Sequence, residues 1–205
     1  MVEWFLMFRI KPYPALVDPT VRVTKGATDE QADQIRALCD EYLTTKPEVG
    51  TVGFNEYRHD PDRRICTVSW LPFPEADSRT GWVYTLCADV AQQANATFWQ
   101  FDLTGFYDKL HCLSYGPNGH FEWHRDSGDN SLRPQRKLSF SIMLSDPDEY
   151  EGGDLQIFDG SPTTVNAKAK GTFIVFPSWV QHRVTPVTKG ERKSLVGWIG
   201  GPKLR

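Results

Sequence analysis

This sequence has no hydrophobic run long enough to cross a bilayer, no block of basic residues and no closely spaced pair of cysteines. A spanning helix needs about 20 consecutive apolar residues, and no stretch here approaches that. The 205 residues carry a net charge of −3 and a pI of about 6.0. There is no cationic footprint to grip a phosphate backbone, so duplex DNA is a disfavoured partner. The 4 cysteines stand at positions 39, 66, 87 and 112, too far apart for a zinc knuckle or a redox pair. Cys39 and Cys87 fall on apolar faces of helix-like stretches, and Cys66 and Cys112 in strand-like ones. They read as buried free thiols, which suits a cytoplasmic protein. Val2–Ile10 is apolar but lacks a basic leader, is interrupted by Glu3 and ends at Lys11-Pro12. It reads as a buried strand rather than a signal peptide.

What is present fits a packed β-rich domain. The chain holds 7 Trp, 7 Tyr and 12 Phe, with hydrophobic residues at 40%. Thr28 and Gln31 make a capping-box pattern before Ile35, Leu38, Cys39 and Tyr42, which predicts a helix over about 29–44. A second helix is predicted from Gly81 to Asn95, with Trp82, Leu86 and Val90 on one face. Arg64–Trp70 alternates like a strand. After residue 95 come short apolar strands separated by turn residues, near 98–104, 109–115, 121–124, 137–144, 154–158, 163–167, 172–176, 182–187 and 192–199. The predicted fold is mainly β with supporting helices and a jelly-roll core. We expect one domain over 1–205, in which 1–95 supports a core formed by 96–205.

Histidine is scarce, 5 in all. His124 and Asp126 are two apart in Phe121-Glu122-Trp123-His124-Arg125-Asp126, so on a strand both side chains face one way. A distant second histidine would complete two His and one carboxylate, a facial set with open positions that suits non-haem Fe(II) and O₂. His182 follows the apolar strand Thr172–Phe176 and opens another, which makes it the better third ligand. His120 sits in a Gly-rich turn and is weaker; His59 and His111 have no carboxylate at useful spacing. Taken singly, His124 and Asp126 equally suit a polar pair on a sheet surface, and His182 an ordinary strand end. Arg192 opens the final strand, where a fixed guanidinium could hold a dicarboxylate through parallel hydrogen bonds. Alone it would equally suit a solvated turn, since Lys189, Glu191 and Lys193 flank it. Two polar stretches, about 53–63 and 127–136, are candidate lids for the mouth or plain connections.

In this order the motifs resemble those of the 2-oxoglutarate and Fe(II)-dependent dioxygenases, in their prolyl 4-hydroxylase-like branch. They are Arg64–Leu71, Leu113-Ser114-Tyr115, the His124/Asp126 pair, Arg136 leading into Leu138–Leu144, and Tyr150-Glu151-Gly152-Gly153-Asp154-Leu155. Gly171 to Pro177, His182-Arg183-Val184, Pro186 to Arg192 and Trp198 complete the set. The resemblance implies a double-stranded β-helix. It implies iron ligands at His124, Asp126 and His182, a 2-oxoglutarate anchor at Arg192 aided by Tyr115, and Arg136 and Trp198 beside the substrate. Fe(II), 2-oxoglutarate and O₂ are the implied cofactors, with ascorbate as an accessory reductant. The implied reaction is hydroxylation of a prolyl residue in a peptide or protein.

One position departs from the branch. Three residues before the first histidine a tyrosine is usual, and here stands Phe121, which puts the prolyl substrate in question. A free amino acid, a small metabolite or a nucleic acid remain alternative substrates. The demethylases of alkylated DNA add an asparagine after the second histidine, and none follows His182 here. A rival of another class is a cupin-like module that binds a metal or ligand without turnover; Arg192 argues against it. No membrane partner is expected, and the oligomeric state is not legible.

Overall fold

The computed structural model describes residues 20–52, 58–127 and 136–202. The expected opening strand over 2–10 lies outside them, as do residues 53–57 and 128–135 of the two candidate lids.

The larger sheet has seven strands. Their order is Arg22–Lys25 (β1), Thr172–Pro177 (β11), Arg136–Met143 (β7), Arg192–Gly200 (β14), Leu110–Tyr115 (β5), Thr67–Leu71 (β4) and Glu48–Val49 (β2). The smaller sheet has five, in the order Ser161–Thr164 (β10), Leu155–Asp159 (β9), His182–Val184 (β12), His120–His124 (β6) and Arg64–Ile65 (β3). Tyr150–Gly152 (β8) and Val187–Gly190 (β13) form a separate ribbon. Two helices, Asp29–Thr45 (α1) and Gly81–Phe98 (α2), complete a mainly β, jelly-roll architecture.

The capping box forms as its residues require. Gln31 N–H donates to Thr28 Oγ1 at 3.1 Å, and Thr28 N–H to Gln31 Oε1 at 2.9 Å. Ala32, Ile35 and Cys39 then turn one stripe of α1 inward. In α2 the buried stripe is Val83, Cys87, Val90, Ala91 and Ala94. Both stripes meet the alternating apolar residues of the larger sheet: Leu110 and Cys112 of β5, Leu138, Phe140 and Ile142 of β7, Phe173 and Val175 of β11, and Leu195 and Ile199 of β14.

The intervening residues of the same strands face the smaller sheet. Leu113, Tyr115, Met143, Ile174 and Phe176 pack there against Leu155, Ile157 and Val184. β7 is buried along its whole length, yet its second face carries Ser139 and Ser141, which line a cavity between the sheets. A buried strand with hydroxyls on one face marks where packing gives way to a site.

Several expected elements differ. The 64–70 strand is two, because Arg64 and Ile65 pair with β6 whereas Thr67–Leu71 pairs with β5; buried Cys66 marks the crossing between sheets. No strand forms over 98–104. The second helix runs on to Phe98, Gln100 takes a positive φ of 53°, and the Asn95 amide clamps both the N–H and the carbonyl of Phe101. The apolar residues there anchor a loop: Trp99 is buried, and Phe101 packs against the same core. The expected 182–187 strand breaks before Pro186, whose carbonyl accepts from Gly153 N–H. The strand expected over 163–167 forms at 161–164, and β1, β2, β8 and β13 were not foreseen.

Candidate metal and co-substrate site

His124 ends β6 and His182 begins β12, and the two are register partners in the smaller sheet. Their ring centres lie 4.2 Å apart. Asp126 sits just past the end of β6, so strand alternation alone does not aim it. Its N–H donates to Ser178 O at 3.0 Å, and its Oδ2 accepts from Ser139 Oγ at 2.7 Å. Thus a loop residue is fixed by the strand of the opposite sheet. Nε2 of His124 lies 3.8 Å from Asp126 Oδ1, and Nε2 of His182 lies 3.5 Å from Oδ2. One donor atom from each of the three falls within 4.8 Å of the others.

The tautomers are set from behind. Nδ1–H of His124 donates to Glu122 O at 2.7 Å, and Nδ1–H of His182 to Val180 O at 2.9 Å. Each Nε2 lone pair is therefore left facing the cavity, as a metal ligand needs. Burial, reinforced by neighbouring His182, lowers the His124 imidazolium and keeps the ring neutral. Burial alone would raise Asp126; His182, His124, Arg136 and the Ser139 hydroxyl outweigh it and hold the carboxyl below its usual range. Two imidazole Nε2 atoms and one carboxylate form a donor set for a divalent cation.

At the other end of the cavity lies Arg192, 2% exposed. Register places it beside Tyr115, and its guanidinium lies 5.5 Å from the Tyr115 ring centre. It donates to Ser194 Oγ at 3.0 Å and to Met143 Sδ at 3.4 Å. Its Nε is buried with no partner, as is the hydroxyl of Tyr150. No carboxylate pairs with it among the described residues. A buried guanidinium without a counter-ion is costly and implies an anion as occupant. The Gly152-Gly153 pair gives it room: both take positive φ, and a Cβ on Gly153 would meet Arg192 Cδ at 2.9 Å.

Arg136 and Trp198 are also brought together. The guanidinium lies 3.6 Å from the indole ring centre, and Arg136 Nε donates to Asp108 at 2.8 Å. Both line the cavity, whose volume is about 250 Å³. His120, by contrast, contacts Asn118 and Asp62 carbonyls and stands outside the triad. His59 is exposed.

Sequence reasoning missed three contributors. His111 lines the cavity, accepts from Trp70 Nε1 at 2.9 Å and meets the Trp198 ring edge-on at 4.7 Å. Its position two before Leu113 on one strand was the available signal. Arg64 lies over Phe121, which stacks on His124 at 3.6 Å. Ser139 was readable only as a polar residue within an apolar run.

Residues 110–200 match the model of the 2OG-Fe(II) oxygenase superfamily. A PKHD-type hydroxylase of Synechococcus elongatus is 31% identical over 128 residues, which are 60% of this chain and 57% of the relative. One of Hyphomonas neptunium is 43% identical over 72 residues, 35% of this chain and 32% of the relative. The chain thus spans little more than half of the first of these relatives, and less of the second. Among solved structures, a prolyl-4-hydroxylase of Pseudomonas putida superposes with a TM-score of 0.70 at 20% identity, covering 89% of this chain and 93% of that one. A prolyl hydroxylase of Trichoplax adhaerens, in complex with a hypoxia inducible factor peptide fragment, gives 0.70 at 13% identity, over 88% and 83% of the two chains. Residues 110–200 of this chain thus match the 2OG-Fe(II) oxygenase superfamily, and the fold that holds them resembles that of a prolyl 4-hydroxylase.

Proposed function

We propose that this protein is a 2-oxoglutarate- and Fe(II)-dependent hydroxylase acting on a prolyl residue of a peptide or protein. The observation that carries the reading is the three-donor cluster within 4.8 Å at one end of a cavity, with an uncompensated buried arginine at the other. A binding module for a metal alone has no use for that arginine.

His124, Asp126 and His182 would hold the iron. The bound iron, with 2-oxoglutarate and O₂, supplies the oxidant that inserts one oxygen atom into the substrate and yields succinate and CO₂. Arg192 binds the far carboxylate of 2-oxoglutarate through charge-assisted hydrogen bonds, each worth roughly 1.5–3 kcal/mol. Tyr115 walls that end of the cavity; burial raises its phenol well above the usual range, so it stays protonated and can donate. Trp198, clamped between Arg136 and His111, offers a flat apolar face to a proline ring. Ser139 fixes the Asp126 carboxylate through Oδ2, leaving Oδ1 free toward His124.

The chain acts as one domain over 1–205, with 1–95 in support; β1, β2 and β4 of that portion complete the larger sheet. Among the described residues no helix is long and apolar enough to cross a membrane. All four cysteines are free and buried, which supports a cytoplasmic setting. The test is succinate release from 2-oxoglutarate across proline-containing peptides and free amino acids. Coupled turnover with a peptide, lost in His124→Ala, is expected; coupling to no peptide would remove the prolyl substrate.

A further inference from the structure

Five arginines line the cavity, namely Arg63, Arg64, Arg125, Arg136 and Arg192, whereas Asp126 is the sole carboxylate among the described lining residues. Asp126 belongs to the metal cluster. Arg136 is neutralised by Asp108, and Arg192 is assigned to 2-oxoglutarate. Arg63 and Arg125 are exposed at the mouth. That leaves Arg64 as the inner cation with no anion assigned to it.

Its surroundings are specific. Arg64 lies 4.5 Å above the ring centre of Phe121, whose other face stacks on the metal-site ring of His124 with planes 16° apart. The guanidinium is therefore one ring-thickness away from the metal site. Nε donates to Cys66 Sγ at 3.0 Å and Nη1 to Thr51 O at 3.2 Å. A thiol is a weak acceptor, and no ion pair forms with Arg64 among the described residues. The Tyr115 phenol also lies within hydrogen-bonding reach of the guanidinium, but it is a neutral group and brings no counter-charge. Desolvation of such a cation is unfavourable unless an anion completes it.

We infer that Arg64 receives a carboxylate carried by the substrate, next to the carbon that is hydroxylated. The substrate class is then proline beside an acidic residue in a peptide, or a free amino acid presenting its α-carboxylate. Both supply the same fork-shaped contact. The exposed Arg63 and Arg125 add long-range attraction for an anionic ligand. Phe121 lies as a flat spacer between this second charge and the His124 ring. This inference rests on the hydroxylase reading above.

The test is calorimetric titration of the chain loaded with Zn(II), which is redox-inert, and 2-oxoglutarate. Two probe pairs are compared: N-acetyl-Asp-Pro-amide against N-acetyl-Asn-Pro-amide, and L-proline against L-prolinamide. In at least one pair the carboxylate-bearing member is expected to bind about ten-fold or more tightly than its neutral partner. Preference in the first pair identifies an acidic peptide, and in the second a free amino acid. Arg64→Gln is expected to shrink the preference to within about two-fold while 2-oxoglutarate still binds, and Arg64→Lys to keep part of it. Melting temperatures of both variants check that the fold survives. The inference is overturned by no preference in either pair, by no binding of any probe, or by an Arg64→Gln variant that loses 2-oxoglutarate affinity while keeping the preference. Failure of the unaltered, Zn(II)-loaded chain to bind 2-oxoglutarate would overturn the hydroxylase reading itself, and this inference with it.

Discussion

Arg192→Met is expected to stabilise the ligand-free protein while removing its response to 2-oxoglutarate. The side chain is 2% exposed, its Nε has no hydrogen-bond partner, and its two bonds go to a hydroxyl and a thioether. No carboxylate among the described residues offsets the desolvation of its charge. Replacing uncompensated or paired buried charges by apolar side chains of similar volume often gains ~1–4 kcal/mol. For a chain of this size each kcal/mol moves Tm by about 2–4 °C. On the ligand side, loss of two parallel charge-assisted bonds at ~1.5–3 kcal/mol each removes about 3–6 kcal/mol, or roughly 10²–10⁴ in affinity. The assay is thermal unfolding of Zn(II)-loaded protein with and without 2-oxoglutarate. The native chain should gain ~2.7 kcal/mol of stability at a ligand concentration of about 100 Kd. The variant should start higher and not move. A lower starting Tm would mean that Arg192 is structural. An undiminished ligand shift would mean that the dicarboxylate binds elsewhere.

Three further outcomes follow from the same geometry. Ser139→Ala deletes the 2.7 Å bond to Asp126 and should weaken divalent-metal affinity by about ten-fold or more; equal Co(II) titrations of the two proteins would refute the positioning role. Gly153→Ala places a Cβ 2.9 Å from Arg192 Cδ at a φ of +60°. It should weaken 2-oxoglutarate binding far more than Gly160→Ala, where φ is +72° but nothing lies within 4 Å; equal effects would leave only backbone strain. Burial, then Arg64 and Arg136, push His111 down to about 3, against about 6.5 when unfolded. Its contribution is fully present above pH ~6.5 and is lost as pH falls toward 3, because the unfolded chain then binds the extra proton. His111→Gln should flatten this acid limb in Tm measured against pH on metal-free protein, and superimposable profiles would contradict the assignment.

Features set by local chemistry were legible from the residues alone. The capping box at Thr28, the spacing of His124 and Asp126, and the polar Arg192 at the head of an apolar strand all needed only neighbours in sequence. What escaped depends on pairing between distant segments. Arg64–Trp70 reads as one strand because alternation continues through Cys66, and only the partners, β6 on one side and β5 on the other, show that it divides. Phe98, Trp99 and Phe101 read as strand because apolar residues cluster there, while the Asn95 clamp that bends them into a loop is a tertiary contact. Asp126 was placed in the cavity for an incomplete reason. Alternation aims His124, but Ser139 holds the Asp126 carboxylate and the Ser178 carbonyl holds its backbone N–H, and both come from the larger sheet and its exit.

The polar side of the cavity bears on stability as well as on chemistry. In a jelly roll the space between two sheets is normally closed by apolar residues from both. Here β7 and β14 turn Ser139, Ser141, Arg192 and Ser194 into that space, and β6 and β12 answer with His124 and His182. Each substitution of a polar group for an apolar one gives up burial worth roughly 1.5–3 kcal/mol. The compensation lies on the other face of the same strands, where Leu138, Phe140, Ile142 and Leu195 pack against α1 and α2. The helices are thus a requirement of the site: they move the hydrophobic core to the outer face of the larger sheet and leave its inner face open for polar side chains. It follows that truncating an apolar residue of α1 that touches none of the cavity, as in Ile35→Ala, should lower Tm by the equivalent of about 2–5 kcal/mol. Because the triad sits on the smaller sheet and is tied to the larger one through Ser139, the same variant should lose metal affinity only as the global transition begins. Metal affinity that fell well below that temperature would show the inner face to be coupled to the helices rather than merely relieved by them.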